Sequence, residues 1–245
     1  MLGVGDDCAL LAARAGFEIA VTTDMLIEGR HFPPGADARA LGHKALAVSL
    51  SDLAATGAFP RWATLAIALP AADEAWLGAF AHGLFALADR YGVDLVGGDT
   101  TRGPLLVINM TALGEVPAGT ALRRSGARPG DDIWVSGELG GAALALVHPE
   151  IGKAAKRLHE PEPRVALGER LRKLAHAAID VSDGLTGDLA RILERSQVGA
   201  VVHYDQVPRP RAFNGVNRDQ LEKDCVLSGG DDYELLFTAA QSRRK

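Results

Sequence analysis

The first half of the chain alternates short apolar runs with longer stretches of helical periodicity. Leu41, Ala45 and Val48 recur at steps of four and three residues, the spacing of one helix face, and Asp52 takes the next place on it. The apolar runs predict strands at residues 18–23, 62–69, 94–97 and 105–115. The periodic stretches predict helices at about residues 38–56 and 73–91, the second ending at Gly92.

The second half restarts the pattern after a basic, turn-rich segment at residues 122–130. We expect strands at residues 132–136, directly before Asp180, at 200–203 and at 234–238. We expect helices at about residues 141–147, 163–174 and 186–196, and a loop at 209–217. Strands interleaved with helices predict an α/β protein.

Length and composition fit a two-domain globular protein. At 245 residues the chain can bury a substantial core and lies where one domain commonly becomes two. Hydrophobic residues make up 47% and charged residues 23%, which excludes a disordered or collagen-like chain. We place the boundary in the basic segment, which gives an N-terminal domain of residues 1–122 and a C-terminal domain of residues 123–245.

Charge, cysteine content and hydropathy exclude several classes of protein. The formal net charge of −5 and the absence of a block of Lys and Arg argue against nucleic-acid binding. Cys8 and Cys225 are the only cysteines, so the sequence encodes no disulfide framework and no thiolate zinc cluster. No apolar run reaches the roughly 18 residues of a membrane span, and the N-terminus lacks the pattern of a signal peptide. We expect a cytoplasmic protein without a membrane partner.

Acidic and hydroxyl side chains follow apolar runs at four places. In the clearest case, the run at residues 94–97 leads through two glycines to Asp99 and two threonines. Similar groups occur at residues 22–24, 180–184 and 228–232. Carboxylates gathered with few basic residues beside them repel one another unless cations lie between them. The pattern therefore predicts a binding site for divalent metal.

Oxygen ligands of this kind suit magnesium acting on phosphate. Transfer between two phosphorylated molecules brings anions together, and two like charges about 4 Å apart cost on the order of 4 kcal/mol at an effective dielectric near 20. Mg²⁺ screens such charges and aligns phosphates for in-line attack. The P-loop and dinucleotide-binding motifs are absent, so ATP would be held in another way. The candidate metal ligands are Asp7, Thr22, Thr23, Asp24, Asp52, Asp99, Asp180 and Asp183, with Ser182 between the last two.

Each of these features also has a purely structural interpretation. Asp beside Gly is common in turns, and we interpret the pair Asp131-Asp132 as a turn. Asp52 could instead form an ion pair with Lys44 or with an arginine from elsewhere. His31 by itself is more typical of a loop than of a ligand site. The glycines of residues 137–141 could serve a helix-entry turn or an anion site.

Eight segments of the chain resemble the thiamine-monophosphate kinase family, of the superfamily that includes aminoimidazole ribonucleotide synthetase and selenophosphate synthetase. They occur in the family's order and span nearly the whole chain, and several distinguish this kinase from its relatives. The segments are residues 3–9 (GVGDDCA), 22–25 (TTDM), 31–32 (HF), 44–55 (KALAVSLSDLAA), 97–103 (GGDTTRG), 124–127 (RSGA), 179–185 (IDVSDGL) and 227–235 (LSGGDDYEL).

The resemblance implies a fold and an activity. The fold is a two-domain, aminoimidazole ribonucleotide synthetase-like arrangement of α+β type. An N-terminal domain with a mixed or antiparallel sheet would dimerise through that sheet, and the active site would lie in the cleft before a C-terminal α/β domain. The activity is ATP-dependent phosphorylation of thiamine monophosphate to thiamine diphosphate, by direct in-line transfer assisted by several Mg²⁺ ions. We therefore expect a homodimeric kinase.

The resemblance also implies roles for individual residues. The eight candidate metal ligands would bind the Mg²⁺ ions, and two of them, Asp99 and Asp183, would act in catalysis through the metal, with no side chain as nucleophile. The residues that would contact ATP are Gly98, Asp99, Arg124 and Ser182. His31 and Asp231 would face the thiamine phosphate.

Two other functions stay open at this point. The chain could be another ATP-using member of the superfamily, such as a purine-pathway synthetase. It could also be a truncated, non-catalytic chain that binds nucleotide and metal or only dimerises. By resemblance, we expect the chain to lack a helical segment before its first motif and a C-terminal segment that supplies an aromatic contact to thiamine.

Overall fold

The structure, a computed structural model, describes residues 8–150, 152–215 and 219–244. Packing divides the chain into two compact units. One comprises Met1–Leu53 and Ala58–Gly119, and the other comprises Ala54–Gly57 and Thr120–Lys245. Asp7, one of the predicted metal ligands, lies outside the described residues.

The first unit is a four-stranded mixed sheet with two helices. Its strands are β1 (Phe17–Ile27), β2 (Phe59–Leu69), β3 (Asp94–Arg102) and β4 (Val107–Pro117), and its helices are α1 (Ala38–Thr56) and α2 (Glu74–Tyr91). The strand order is β1-β4-β2-β3, and β2 and β3 form its parallel pair. This confirms the predicted mixed sheet, and α1 has the predicted bounds.

Local sequence signals set both ends of α2. The Asp73 carboxylate accepts hydrogen bonds from the main-chain N–H groups of Ala75 (2.9 Å) and Trp76 (3.1 Å). At the other end Gly92 adopts φ 65°, and its N–H satisfies helix carbonyls. The helix therefore begins and ends within one residue of the prediction.

The core of the first unit lies between the helices and one face of the sheet. Leu46 and Leu50 of α1 and Ile108 and Met110 of β4 are at most 1% exposed. On the other face of the sheet, alternate β1 residues are exposed: Ile19 to 39%, Val21 to 63% and Met25 to 51%. One face of the sheet therefore carries the core, and the other presents apolar side chains to solvent.

Two glycines bring α1 and α2 into main-chain contact. A Cβ on Gly42 would lie 2.0 Å from the carbonyl oxygen of Phe80, and a Cβ on Gly83 would lie 1.8 Å from that of Arg39. No real side chain fits at either distance, so both positions require glycine for the helices to pack this closely.

The second unit is a three-stranded antiparallel sheet in the order β5-β7-β6, packed with helices. Its strands are β5 (Asp131–Val135), β6 (Ala175–Val181) and β7 (Glu234–Ala240). Its α-helices are α3 (Gly141–Val147), α4 (Gly152–His159), α5 (Val165–Leu171), α6 (Leu185–Ser196) and α7 (Asp219–Ser228). Short 3-10 helices cover Tyr204–Gln206, Arg211–Gly215 and Gln241–Arg243. Ile179, Ile192 and Leu236 lie in its core.

Three expectations for the second unit are wrong or incomplete. Residues 200–203 form no strand, and Val201 is 78% exposed. β-branched residues form a strand only where a partner strand and a packing surface exist. The helices α4 and α7 are absent from the prediction; they are short, with eight and ten residues. Part of the expected loop at 209–217 forms the 3-10 helix Arg211–Gly215.

A buried carboxylate fastens the segment before β1 to β4. Glu115 is 0% exposed and accepts hydrogen bonds from the main-chain N–H (2.8 Å) and Nε (2.5 Å) of Arg14. Arg61 Nε lies 3.5 Å from the same carboxylate. Burial alone raises the pKa of Glu115, but the bonds from Arg14 and the charge of Arg61 outweigh it, so the pKa lies below its ordinary value.

Replacing Glu115 should therefore cost stability. We expect Glu115→Gln to lower the free energy of unfolding at neutral pH by about 3 kcal/mol, because the buried anion facing two arginines is lost. A depressed folded-state pKa means that this stabilisation is present above the ordinary carboxyl pKa and disappears as pH falls through the folded-state value. Urea unfolding from pH 7 down to pH 2 measures the difference, which should shrink with acid.

The control is Glu18→Gln, an exposed residue on β1 of the same sheet. It should change stability by less than about 0.5 kcal/mol at any pH. Equal losses in the two variants would contradict a special role for the buried carboxylate.

Candidate functional site

Two acids from different elements meet on the helix-covered face of the first unit's sheet. Asp24 lies on β1 and Asp52 on α1. Thr22 Oγ1 donates a hydrogen bond to Asp52 Oδ2, and Ser49 Oγ donates to Asp24 Oδ2 at 2.7 Å. Alternate strand residues share a face, so Thr22 and Asp24 both point toward α1. The structure thus brings together three predicted ligands, Thr22, Asp24 and Asp52.

The electrostatics of this acidic pair suit a cation. Burial raises the pKa of Asp24, the Ser49 hydrogen bond lowers it and the Asp52 charge raises it again; the net shift is upward. Two carboxylates and a hydroxyl are the hard oxygen donors that Mg²⁺ prefers. Within the described ranges, no three His, Cys, Asp or Glu side chains form a metal-binding group. A metal ion at this pair would therefore need further ligands from water, phosphate or another chain.

Thr23 points to the opposite face of the sheet. Its Oγ1 lies 3.0 Å from Thr111 Oγ1, and Asn109 Nδ2 donates to it at 3.3 Å. This follows from the two-residue period of a strand. Thr23 could join Thr22 and Asp24 at one metal ion only through its main-chain carbonyl oxygen.

Asp99 lies at the far edge of the same sheet. The register aligns Asp99 on β3 with Ala66 on β2, Asn109 on β4 and Met25 on β1. This row belongs to the open face, and Asp99 is exposed. Three strand spacings of about 4.8 Å separate β1 from β3, so Asp24 and Asp99 of one chain are roughly 14 Å apart. The structure does not bring these two acids together within one chain.

The structure explains why the residue before Asp99 is a glycine. Its φ is 148°, and a Cβ there would lie 1.8 Å from the carbonyl oxygen of Leu65 on the neighbouring strand. Only glycine fits this approach. The glycine is therefore required by the close packing of β3 against β2.

His31 lies in the turn after β1. Its Nδ1 accepts a hydrogen bond from the Ile27 main-chain N–H at 3.0 Å, and the residue is exposed. An accepting Nδ1 places the proton of the neutral ring on Nε2. His31 can therefore act as a hydrogen-bond donor to an anion.

In the second unit a basic residue does accompany the acids, contrary to what we expected from the sequence. Arg191 on α6 pairs with Asp183 at 2.5 Å and with Asp188 at 3.0 Å. Hydrogen bonding to Asp183 raises the pKa of Arg191, burial lowers it, and the charges of Asp183, Asp188 and Asp180 raise it. An arginine thus partly neutralises the acids here.

Asp188 holds the loop that carries Ser182 and Asp183. It is 0% exposed, and its Oδ2 accepts hydrogen bonds from the main-chain N–H groups of Ser182 and Asp183, both at 3.0 Å. Asp180, at the end of β6, is 4% exposed. Asp180, Ser182 and Asp183 therefore occupy one end of β6, with Ser182 and Asp183 fixed by the first turn of α6.

Arg124 sits in a loop fastened to the end of α6. Ser196 Oγ donates to the Arg124 carbonyl at 3.0 Å and accepts from the N–H groups of Gly126 and Ala127, both at 3.1 Å. Arg124 itself is exposed. The loop is anchored through its main chain, while the residue is accessible to an anionic ligand.

Asp231 lies in a loop packed against residue 182. Its main-chain N–H donates to the Ser182 carbonyl at 3.0 Å, and Tyr233 Oη donates to Asp231 Oδ1 at 2.9 Å. Asp231 therefore adjoins Ser182 in the second unit.

Two structural alternatives from the sequence are settled. The glycines of residues 137–141 form a helix entry, because Asp232 accepts the N–H groups of Gly140 and Ala142 that an anion would use. Asp131 and Asp132 are the first two residues of β5, so the predicted turn at this pair is wrong; Asp131 is paired to His176 at 2.8 Å and Asp132 to Arg244 at 2.5 Å.

Sequence reasoning missed Ser49, Asp188 and Arg191. Ser49 precedes Asp52 by one helical turn, so helical spacing could have found it. Asp188 is an acid in the first turn of a helix, a recognised signal of main-chain capping. Arg191 follows it by three residues, the spacing of a helical ion pair.

The fold and these motifs match a described class of protein. Residues 5–116 match the family described as AIR synthase related protein, N-terminal domain, and residues 128–244 match AIR synthase related protein, C-terminal domain. Together the two matches define a two-domain protein of the AIR synthase related class, and they confirm the α+β fold expected from the sequence.

Sequence identity to individual relatives identifies one family within this class. The thiamine-monophosphate kinase of Salmonella typhimurium (strain LT2) is 46% identical over 252 residues, which are 99% of this chain and 77% of that protein. That of Escherichia coli (strain K12) is 46% identical over 253 residues, 99% of this chain and 78% of that protein. The chain belongs to the thiamine-monophosphate kinase family, which confirms the resemblance of the eight segments.

Solved structures of other proteins support the same family assignment. The crystal structure of thiamine-monophosphate kinase from Stenotrophomonas maltophilia K279a is 51% identical, with a TM-score of 0.94, and the match covers 100% of this chain and 81% of that one. The structure of AaThiL complexed with AMPPCP and TMP is 29% identical, with a TM-score of 0.87, and the match covers 96% and 79%.

The acidic pair allows a test that does not depend on turnover. Because burial and Asp52 raise the pKa of Asp24, the ionised pair destabilises the metal-free protein at neutral pH. Asp24→Asn should raise the melting temperature in EDTA, by roughly 2–4 °C for each kcal/mol gained. The same variant should lose the stabilisation that MgCl₂ gives the wild type.

Thermal melts in EDTA and in MgCl₂ measure both effects. Asp94→Asn, an exposed acid at the start of β3, is the control and should behave as wild type in both buffers. If Asp24→Asn keeps the full response to MgCl₂, the acidic pair does not bind the ion.

Proposed function

We propose that this protein phosphorylates thiamine monophosphate with ATP, giving thiamine diphosphate and ADP. The observation that carries the proposal is the acidic pair, Asp24 and Asp52 held together by Thr22 and Ser49. Kinship with named thiamine-monophosphate kinases, and with a relative crystallised with AMPPCP and TMP, supports this substrate pair.

The chemistry is phosphoryl transfer between two phosphates. A phosphate oxygen of thiamine monophosphate attacks the γ-phosphorus of ATP, the bond to the β,γ-bridging oxygen breaks, and ADP leaves. Mg²⁺, when bound, would neutralise the charge of the phosphates. Thr22, Asp24 and Asp52 would hold one Mg²⁺ ion in the first unit, and Asp99 would bind another. Asp180 and Asp183 would bind Mg²⁺ in the second unit. No side chain need act as nucleophile.

Other residues would bind and orient the substrates. The exposed Arg124 and the loop at Ser182 offer a cation and a hydroxyl to ATP, and the main chain at the exposed Gly98 would contact it. His31 would donate Nε2–H to the phosphate of thiamine monophosphate. Asp231 would contact the same substrate. Each of these roles positions phosphate rather than reacting with it.

An assay of ADP release tests the activity directly. With thiamine monophosphate as acceptor and MgCl₂ present, the wild type should turn over, and Asp99→Asn should lose at least about 100-fold in turnover with its fold intact by circular dichroism. Turnover only with another acceptor would assign the chain to a different reaction of the class. Nucleotide binding without any turnover would contradict a kinase.

The separation of Asp24 from Asp99 favours a homodimer with shared sites. Ile19, Val21 and Met25 present apolar area on the open face of the sheet, which a second copy would cover. A two-fold axis parallel to the strands would place the two sheets face to face, with β1 of one chain opposite β3 of the other. Asp99 of the partner subunit would then face Thr23, the predicted ligand whose side chain lies on the open face of β1.

Mixing two inactive variants tests the shared site. Asp52→Asn and Asp99→Asn should each be nearly inactive alone. Co-expressed chains that assort at random should recover about a quarter of wild-type activity, because half of the dimers carry one intact site. Recovery should be absent when both substitutions are placed in one chain and mixed with either variant. No recovery from the two single variants would mean that each site lies within one chain.

We further propose a cytoplasmic location. Cys8 and Cys225 are both free thiols, which suits a reducing compartment, and ATP is the co-substrate of the proposed reaction. No described helix has the length and apolar character needed to cross a bilayer.

A further inference from the structure

The loop that carries Asp231 has an unusual backbone on both sides of Asp232. Asp231 has φ 67° and Tyr233 has φ 50°, in the left-handed region that residues other than glycine rarely adopt. Before them, a Cβ on Gly230 would lie 2.3 Å from the Ser182 carbonyl oxygen. Such a backbone persists only where its surroundings hold it in place.

Asp232 makes contacts that hold this loop. Its carboxylate accepts hydrogen bonds from the main-chain N–H groups of Gly140 at 2.6 Å and Ala142 at 3.3 Å, at the entry to α3. A Cβ on Gly140 would lie 2.9 Å from the main chain of Val226, so the entry to α3 packs directly on α7. Asp232 therefore connects a strained loop to two packed helices.

We propose that Asp232 is a positioning residue for the acceptor substrate. By fastening the loop to α3, it fixes the backbone and carboxylate of Asp231 in the orientation that contacts thiamine monophosphate. This inference rests on the proposed function, in which Asp231 makes that contact. The role acts on ground-state binding of the acceptor, so its loss appears in KM for that substrate rather than in kcat.

The surroundings of Asp232 give this role a pH dependence. Burial raises the pKa of Asp232 to about 6 in spite of the two main-chain hydrogen bonds; Glu234 on β7 raises it and Arg157 on α4 lowers it. Cys225 on α7 also faces it, and α3 carries no titratable side chain. Below that pH the protonated carboxyl has one acceptor oxygen fewer for the two amides, which loosens the loop.

Steady-state kinetics of Asp232→Asn test the proposal. At pH 7.5 the variant should raise KM for thiamine monophosphate about tenfold, with kcat and KM for ATP within about threefold of wild type. Asp224→Asn on α7 is the matched control, because it makes the same charge change at an exposed residue. It should leave all three constants unchanged.

The pH profile separates positioning from a structural role. In wild type, KM for thiamine monophosphate should rise as pH falls through about 6, and Asp232→Asn should lack this rise. The phosphate of the substrate titrates equally in both proteins, so the difference between their profiles isolates Asp232. An unchanged KM in Asp232→Asn, a loss confined to kcat, or identical pH profiles would overturn the proposal.

Amide hydrogen exchange in the wild type needs no variant. After correction for intrinsic rates, the Gly140 and Ala142 amides should be less protected at pH 5 than at pH 8, and equal protection would overturn the proposal. If the wild type shows no kinase activity, the proposed function fails, while the exchange result still decides whether Asp232 fastens the loop.

Discussion

The chemistry proposed for the first unit depends on two like charges that its fold keeps close together. Asp24 and Asp52 approach from a strand and a helix, and Thr22 and Ser49 hold them there by hydrogen bonds. The arrangement costs folding energy, visible in the upward shift of the Asp24 pKa. The proposed Mg²⁺ ion would offset this cost, because a cation between the two carboxylates removes their repulsion.

The second unit handles its acids differently. Asp183 and Asp188 both pair with Arg191. The carboxylates of Asp188 and Asp232 accept hydrogen bonds from main-chain N–H groups. These acids organise loops before any ligand arrives. One composition, rich in Asp at strand ends, therefore serves two physical purposes in the two units.

Much of the fold could be predicted from the sequence because its signals are local. Helical spacing fixed α1 and placed Asp52 on the face that meets β1, and Asp73 and Gly92 fixed α2. Longer-range facts could not be predicted. Asp99 lies far from Asp24 because β3 and β1 form opposite edges of the sheet. This strand order cannot be inferred from the sequence of any single segment. The residues at 200–203 have strand propensity but no partner strand.

The glycine contacts between α1 and α2 limit how the protein can move. Gly42 and Gly83 seat each helix against main-chain atoms of the other, so α1 cannot slide along its axis without collision. The helix that carries Asp52 is therefore held in one position relative to α2. Motion within the first unit during a catalytic cycle must therefore carry α1 and α2 together as one body.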